Sequence, residues 1–304
     1  MKTVSCFMGG LLALSLCLLT VGVESAVSED GPGAHFAQGV LASERGQVDS
    51  AIKEFREVIR LAPAHAEAHY NLGVLLGERE QWTDAMASLA KAAELRPKDP
   101  DPRLAMGIVA SQNGEDDRAI HEFIEAILLS PDLTEAHFRL GMIYQKRKQD
   151  DLALGQYRTT VQNDPQHLPA RFALGALADR KGDMDEAIRQ FREITTIDPR
   201  SVEGYYNLGL AYGRKSTVGL ADLPTTDITT DYNALAMEAF QKTLSWNPNH
   251  SGARYNLAVA YLYQGGGDVK RAREHLEILS GLDPALAEKL IDKIEGVTQK
   301  GGAH

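Results

Sequence analysis

The sequence predicts an all-α repeat protein, and three regular spacings along the chain indicate this fold class. Glycines recur every 34 residues, at Gly39, Gly73, Gly107, Gly141, Gly175 and Gly209. An alanine follows each of the first five glycines after twelve residues, at Ala51, Ala85, Ala119, Ala153 and Ala187. A proline follows each alanine after twelve more, at Pro63, Pro97, Pro131, Pro165 and Pro199. A fixed period of this length is typical of a solenoid.

The first element is an N-terminal segment with the order of a secretory signal peptide. Lys2 precedes an apolar run over residues 7–23, and the small residues Ser25 and Ala26 follow it. We expect residues 1–25 to be a signal peptide, residues 26–31 a linker, and the protein to be of an exported bacterial type. The periplasm is the expected location, with secretion as an alternative.

The apolar run leaves a second interpretation open. Its seventeen residues lie at the lower end of the length that spans a bilayer, so an uncleaved membrane anchor is the alternative. Lipidation at Cys17 is disfavoured, because Leu16 stands where a bacterial lipobox has a small residue.

The repeat that follows resembles the tetratricopeptide repeat, whose unit is a pair of antiparallel helices, A and B. The resemblance rests on Gly or Ala at position 8, Ala at position 20 and Pro at position 32. Position 24 is aromatic or leucine, at Phe55, Leu89, Phe123, Tyr157, Phe191, Phe240 and Leu276. The resemblance implies an α-solenoid, a right-handed superhelix of helix pairs.

Each of these positions has a physical reason. Small residues at positions 8 and 20 let helices A and B approach closely. Proline at position 32 ends helix B. Position 4 departs from the family, where it is a bulky aromatic, so we expect a more polar packing of the A helices. It holds His35, His69, Arg103, His137, Arg171, Tyr205 and Arg254.

The register divides the chain into seven repeats. They cover residues 32–65, 66–99, 100–133, 134–167, 168–201, 202–250 and 251–286. Repeat 6 contains an insertion over about 214–232, which we expect to be a loop because it contains Pro224 among threonines and aspartates. Gly265, Gly266 and Gly267 predict a turn in repeat 7. Residues 287–298 are amphipathic and predict a C-terminal capping helix.

Composition excludes several function classes. The net charge of -10 disfavours nucleic acid as a partner. Cys6 and Cys17 are the only cysteines, so the repeats have no thiol for a disulfide, a zinc site or a nucleophile. His65 and His69 have a metal-ligand spacing, but no third ligand is evident. The repeats leave no room for a catalytic domain, so we predict no enzyme, no catalytic residue, no metal and no cofactor.

The resemblance implies that positions 5 and 9 of helix A face a concave groove. Position 5 holds Phe36, Tyr70, Leu104, Phe138, Phe172, Tyr206 and Tyr255. Position 9 holds Val40, Val74, Ile108, Met142, Ala176, Leu210 and Val259. Residues four apart share a helix face, so these side chains predict a continuous apolar lane for a peptide. Packing between repeats is the alternative role for the rings.

Two polar features accompany the lane. Asparagine at position 6 resembles the asparagine ladder of O-linked N-acetylglucosamine transferase, although only three of seven repeats have it. The predicted partner-binding residues are Tyr70, Asn71, Val74, Phe138, Met142, Phe172, Tyr206, Asn207, Leu210, Tyr255 and Asn256. A possible electrostatic strip consists of Arg139, Lys146, Arg180 and Arg214, with a solvated charged surface as the alternative. The lysine and asparagine of a carboxylate clamp are absent from positions 5 and 9.

These observations predict a scaffold, adaptor or assembly factor that binds a protein or peptide along the groove. One alternative is a membrane-tethered scaffold that retains the signal as its anchor. Another, from a different class, is an accessory subunit or enzyme of envelope or carbohydrate processing. The sequence leaves the oligomeric state open.

Overall fold

The computed structural model describes residues 30–218, 231–263 and 268–301, and all regular secondary structure within these ranges is helical. The predicted signal peptide, most of the linker and the three-glycine turn lie outside them. Helix contacts divide the chain into a shorter body, residues 30–95, and a longer body, residues 96–301. In each body, successive helices pack as pairs. The predicted all-α architecture of helix pairs is therefore confirmed.

The A helices begin at, or one residue after, the first residue of each predicted repeat. They are α1 Pro32–Glu44, α3 Ala66–Glu78, α5 Asp101–Gln112, α7 Thr134–Lys146, α9 Leu168–Arg180, α11 Val202–Val218 and α13 Ser251–Tyr263. The B helices are α2 Val48–Leu61, α4 Trp82–Leu95, α6 Asp116–Leu129, α8 Asp150–Asn163, α10 Met184–Ile197, α12 Tyr232–Trp246 and α14 Val269–Leu282. None of the described helices is long and apolar enough to cross a membrane.

The close approach of helices A and B rests on the pairing of position 8 with position 24. A Cβ atom added to Gly107 would lie 2.5 Å from the Phe123 ring, and the same relationship joins Gly141 to Tyr157 at 2.7 Å. Phe123 and Tyr157 are fully buried. All seven alanines at position 20 are at most 1% exposed. The large side chain at position 24 therefore lies against the glycine of its own repeat.

The polar residues at position 4 form a recurrent clamp between repeats. Arg171 donates from Nε to the Pro165 carbonyl at 2.8 Å and from Nη1 to Gln190 Oε1 at 2.8 Å. His137 makes the equivalent contacts, with the Pro131 carbonyl at 3.0 Å and Gln156 at 2.7 Å. His69 and Arg254 contact the carbonyls of Pro63 and Pro248 in the same way. The clamp accounts for the polar character of position 4, because buried polar groups need hydrogen-bond partners.

Helix α11 extends into the segment that was predicted to be the insertion loop of repeat 6. Helix α11 continues to Val218 and is 17 residues long, so residues 214–218 are helical and the prediction of a loop there was wrong. Lys215 forms an ion pair with Asp185, and its Nζ lies 4.8 Å from the centre of the Tyr232 ring. These contacts hold the extra turn against neighbouring helices. Residues 219–230 lie outside the described ranges.

The predicted capping helix is confirmed and is longer than predicted. Helix α15, Pro284–Gly301, buries Ala287, Leu290 and Ile294 against α13 and α14. Pro284 is its first residue, a position where the missing amide proton of proline costs nothing.

Candidate functional site

The candidate site is the set of side chains at positions 5 and 9 of the A helices, called here the A-helix face. In the shorter body it consists of Phe36, Val40, Tyr70 and Val74. In the longer body it consists of Leu104, Ile108, Phe138, Met142, Phe172, Ala176, Tyr206, Leu210, Tyr255 and Val259. Helix α11 contacts both α9 and α13, so adjacent A helices of repeats 5 to 7 are direct neighbours.

The position 5 rings of repeats 1, 4 and 6 are half-buried and contact other rings on two sides. Phe138 lies 6.0 Å from Tyr157 and 4.7 Å from His167, measured between ring centroids. Tyr206 lies 6.1 Å from Phe240 and 4.4 Å from His250. These rings therefore contribute to packing and at the same time leave part of their surface exposed.

The histidines beside these rings also begin the next A helix. His167 Nδ1 accepts a hydrogen bond from the Ala170 amide at 3.1 Å, and His250 Nδ1 accepts one from the Ala253 amide at 3.0 Å. This is the role of an N-cap, which satisfies an amide in the first turn. The role was not predicted from the sequence, although a histidine directly before the next predicted repeat was a usable signal.

Position 9 is not uniformly exposed, unlike the continuous lane that the sequence predicts. Met142 is 50% exposed and Ala176 is also exposed. Ile108, at the same position, is buried in a core cluster with Phe123 and Leu140. Val74 and Leu210 are half-buried. The apolar surface of the face is therefore most accessible in repeats 4 and 5.

The asparagines at position 6 are partly engaged within the chain. Asn207 donates to the Glu203 carbonyl at 2.9 Å, and Asn256 donates to the Gly252 carbonyl at 2.8 Å. Burial raises the pKa of the Tyr206 hydroxyl, and a hydrogen bond with Asn256 partly offsets this. Asn71 is half-buried on α3. Asn207 therefore has one side-chain hydrogen bond within the protein, and Asn256 has two.

Each cation of the predicted electrostatic strip has an acidic partner within the protein. Arg139 pairs with Glu135 in its own helix at 2.5 Å. Lys146 pairs with Asp116 at 2.8 Å, Arg180 with Asp150 at 3.1 Å, and Arg214 with Asp179. The strip is thus part of a network of ion pairs, in which Lys146, Arg180 and Arg214 share position 13 and Arg139 stands apart.

The two histidines with metal-ligand spacing have separate contacts. His65 Nδ1 accepts from the Ala68 amide at 3.2 Å, and His69 Nε2 lies 2.9 Å from the Pro63 carbonyl. In the described ranges, no group of three His, Cys, Asp or Glu side chains is arranged to hold a metal ion.

Comparison with known proteins identifies the family. A profile described as "Tetratricopeptide repeat" matches residues 36–100 and 104–167, and one described as "TPR repeat" matches residues 180–216. Together these matches cover more than half of the chain. The protein therefore belongs to the tetratricopeptide repeat family. The search of curated proteins found no significant match.

Solved structures support the same fold. YrrB, described as a TPR protein with an unusual peptide-binding site, is 25% identical, covers 66% of this chain and 95% of its own, and has a TM-score of 0.52. The C-terminal part of a TPR repeat-containing protein from Cytophaga hutchinsonii is 15% identical and has a TM-score of 0.67. The match covers 85% of this chain and 98% of that protein. A tetratricopeptide repeat protein from Parabacteroides merdae is 17% identical and has a TM-score of 0.52. The match covers 87% of this chain and 98% of that protein.

Proposed function

We propose that this protein is a non-enzymatic adaptor or assembly factor that binds a segment of another protein on its A-helix face. The observation that carries the proposal is the exposure of Met142 on α7. The position 5 rings of α7 and α9, Phe138 and Phe172, are themselves only half-buried. Exposed apolar surface with a polar rim is typical of an interaction site. Methionine suits such a site because its flexible, polarizable side chain adapts to different contacts.

The arrangement favours a peptide segment as the ligand. Four-residue spacing places Phe138 with Met142, and Phe172 with Ala176, on one face of their helices. An extended or helical segment laid across α7 and α9 would therefore meet an apolar contact on each helix. YrrB, which is similar over about two thirds of this chain, has a peptide-binding site according to its description.

Met142 offers the sharpest test, because the rings have structural contacts that Met142 does not share. In Met142→Glu, we expect capture of the native partner to fall roughly tenfold or more, as for a residue at the centre of an interface. The matched control is Leu128→Glu. Leu128 is 70% exposed on the B helix α6, so this variant introduces the same charge elsewhere.

Capture is measured by affinity purification from the native host followed by quantitative mass spectrometry. Circular dichroism must show that both variants fold. Equal capture by wild type and Met142→Glu would contradict the proposal, as would an equal loss in Leu128→Glu.

We further propose that the protein is exported to the periplasm. The support is the order of Lys2, the apolar run over residues 7–23 and Ser25. The N-terminal sequence of the protein isolated from its host tests this. A mature chain that begins at Ala26 supports export with cleavage, whereas an intact N-terminus in the membrane fraction favours the tethered scaffold.

A further inference from the structure

A ladder of ion pairs joins consecutive repeats of the longer body. Its cations stand at positions 13 and 14, near the C-terminal end of one A helix. Its acids lie in the first turn of the preceding B helix, at positions 17 and 18. The pairs are Lys146–Asp116, Arg147–Asp117, Arg180–Asp150, Lys181–Asp151 and Lys215–Asp185. Arg214 pairs with Asp179 because Met184 occupies position 17 of its preceding repeat.

The ladder ends between repeats 6 and 7, where the acids and the cations are both absent. Between repeats 6 and 7, Asn233 and Ala234 occupy positions 17 and 18, and Tyr263 occupies position 13. There Asn233 Nδ2 lies 3.4 Å from the Ala260 carbonyl instead of contacting a charged side chain. The cation at position 14 and the acid at position 18 are paired at each junction between repeats 3 and 6. The same pair occurs between Arg79 and Asp49 in the shorter body.

The two sides of the ladder differ in which charge is exposed. At position 13, the cations Lys146, Arg180 and Arg214 are 50 to 63% exposed, while their acidic partners are only 14 to 30% exposed. At position 18, Asp117, Asp151 and Asp185 are 78 to 92% exposed, while their cationic partners are 26 to 37% exposed. We call the first set the cationic row and the second the acidic row.

The cationic row borders the A-helix face. Lys146, Arg180 and Arg214 follow Met142, Ala176 and Leu210 by four residues, so each cation lies on the same helix face as an apolar side chain. Three consecutive A helices therefore present an apolar contact followed by an exposed positive charge. Position 13 is Glu44, Glu78 and Gln112 in the first three repeats, so the cationic row is confined to repeats 4 to 6.

We infer that the segment bound at repeats 4 to 6 is an acidic peptide, in which aspartates or glutamates accompany large apolar side chains. This inference rests on the proposed function and specifies the chemistry of its ligand. The net charge of -10 would repel such a segment from most of the surface, so the cationic row sets where and in which register it binds. Asp116, Asp150 and Asp179 hold the cations in place before binding, which reduces the entropy lost when they meet a carboxylate.

The test starts from a library of random peptides displayed on phage and selected on the folded wild-type protein, with counter-selection on Met142→Glu. We expect the enriched peptides to contain an excess of Asp and Glu next to Leu, Phe or Met. Enriched peptides that are neutral or basic would overturn the inference and leave the proposed function standing. Failure to enrich any peptide would count against both.

The affinity of one enriched peptide is then measured by fluorescence anisotropy for two triple variants. Lys146→Gln, Arg180→Gln and Arg214→Gln together remove the cationic row, whereas Arg147→Gln, Lys181→Gln and Lys215→Gln remove the position 14 cations of the same helices. Each set removes three positive charges, and the second set also removes the longer contact of 3.8 Å between Arg147 Nε and Asp116. Thermal denaturation shows whether the two sets lose similar stability.

We expect the first set to weaken binding about tenfold, because each exposed ion pair contributes little by itself and three are lost together. The affinity should then depend less on the salt concentration. The second set should change affinity by less than about twofold. Equal losses in both sets would overturn the inference. So would an oligonucleotide that binds through the cationic row as tightly as the peptide, since the row would then recognise phosphate.

Discussion

Gly107 lies directly against Phe123, so closely that a methyl group on the glycine would come within 2.5 Å of the ring. Phe123 is completely buried, and because protein interiors are closely packed, its ring cannot shift without displacing its neighbours. We therefore expect Gly107→Ala to lower the free energy of unfolding by ~1–3 kcal/mol, as in an overpacked core.

Gly155 provides the matched control for this prediction. It lies in α8, and a Cβ atom added to it would have no neighbour within 4 Å, so Gly155→Ala should raise stability by about 0.5–1 kcal/mol. Urea denaturation of both variants measures the difference. Equal effects would show that the glycine at position 8 is not needed for helix approach.

Lys148 is held in a left-handed backbone conformation, with φ of 58°, in the turn between α7 and α8. Gly114 occupies the same register position one repeat earlier, with φ of 80°. Because this conformation crowds a Cβ atom, Lys148→Gly should stabilise the protein by about 1 kcal/mol. The reverse change, Gly114→Lys, should lower the melting temperature. A destabilised Lys148→Gly protein would disprove this explanation of the turn.

Arg171 bridges Pro165 and Gln190 in a buried position. Arg171→Leu leaves both acceptors without this donor, so we expect it to cost about 1–3 kcal/mol. Arg171→His should recover part of the loss, since His137 contacts the equivalent proline carbonyl in the preceding repeat. Chemical denaturation distinguishes the variants. If leucine and histidine are equally destabilising, the clamp has no hydrogen-bonding role.

The stability of the last repeat should depend on pH through His275. Burial lowers the pKa of His275, and the charge of Arg254, whose Nη1 lies 3.5 Å from Nδ1, acts in the same direction, whereas Glu274 opposes it. A histidine in the unfolded chain has a pKa of about 6.5. The folded state therefore binds fewer protons, and the stabilisation is complete above that value and is lost as the pH falls below it.

Urea unfolding of wild type and His275→Gln at about pH 8 and about pH 5 tests this dependence. We expect the loss of stability on acidification to be smaller in the variant. A loss as large as that of the wild type would contradict the assignment, because the remaining histidines are common to both proteins.

Much of the fold could be predicted from the sequence because its signals are local and repeated. Thr134 and Leu168 begin helices where the register of glycine, alanine and proline placed them. The extra turn of α11 was not predictable in the same way, because it has no counterpart in α7 or α9 and so is not part of the repeated pattern. The recurrence of acids at positions 17 and 18 with cations at positions 13 and 14 could have predicted the ion pairs between repeats.

The candidate site could be predicted only in outline. Ile108 and Met142 share position 9, so the repeat pattern predicts the same exposure for both side chains. Ile108 is buried by Phe123 and Leu140 whereas Met142 remains exposed, because burial depends on the side chains that neighbouring repeats supply. The exposed partner of each ladder pair could likewise not be predicted, because the sequence shows both charges but not which of them the fold covers.

Site-specific photo-cross-linking tests whether a partner occupies the A-helix face in the native host. A photoreactive phenylalanine analogue is placed at Met142 on the A-helix face, and in a matched protein at Leu128 on helix α6, and cells producing each protein are irradiated. We predict a discrete cross-linked protein from position 142 that is weak or absent from position 128. Cross-linking from position 128 alone, or to the same extent from both positions, would contradict binding on the A-helix face.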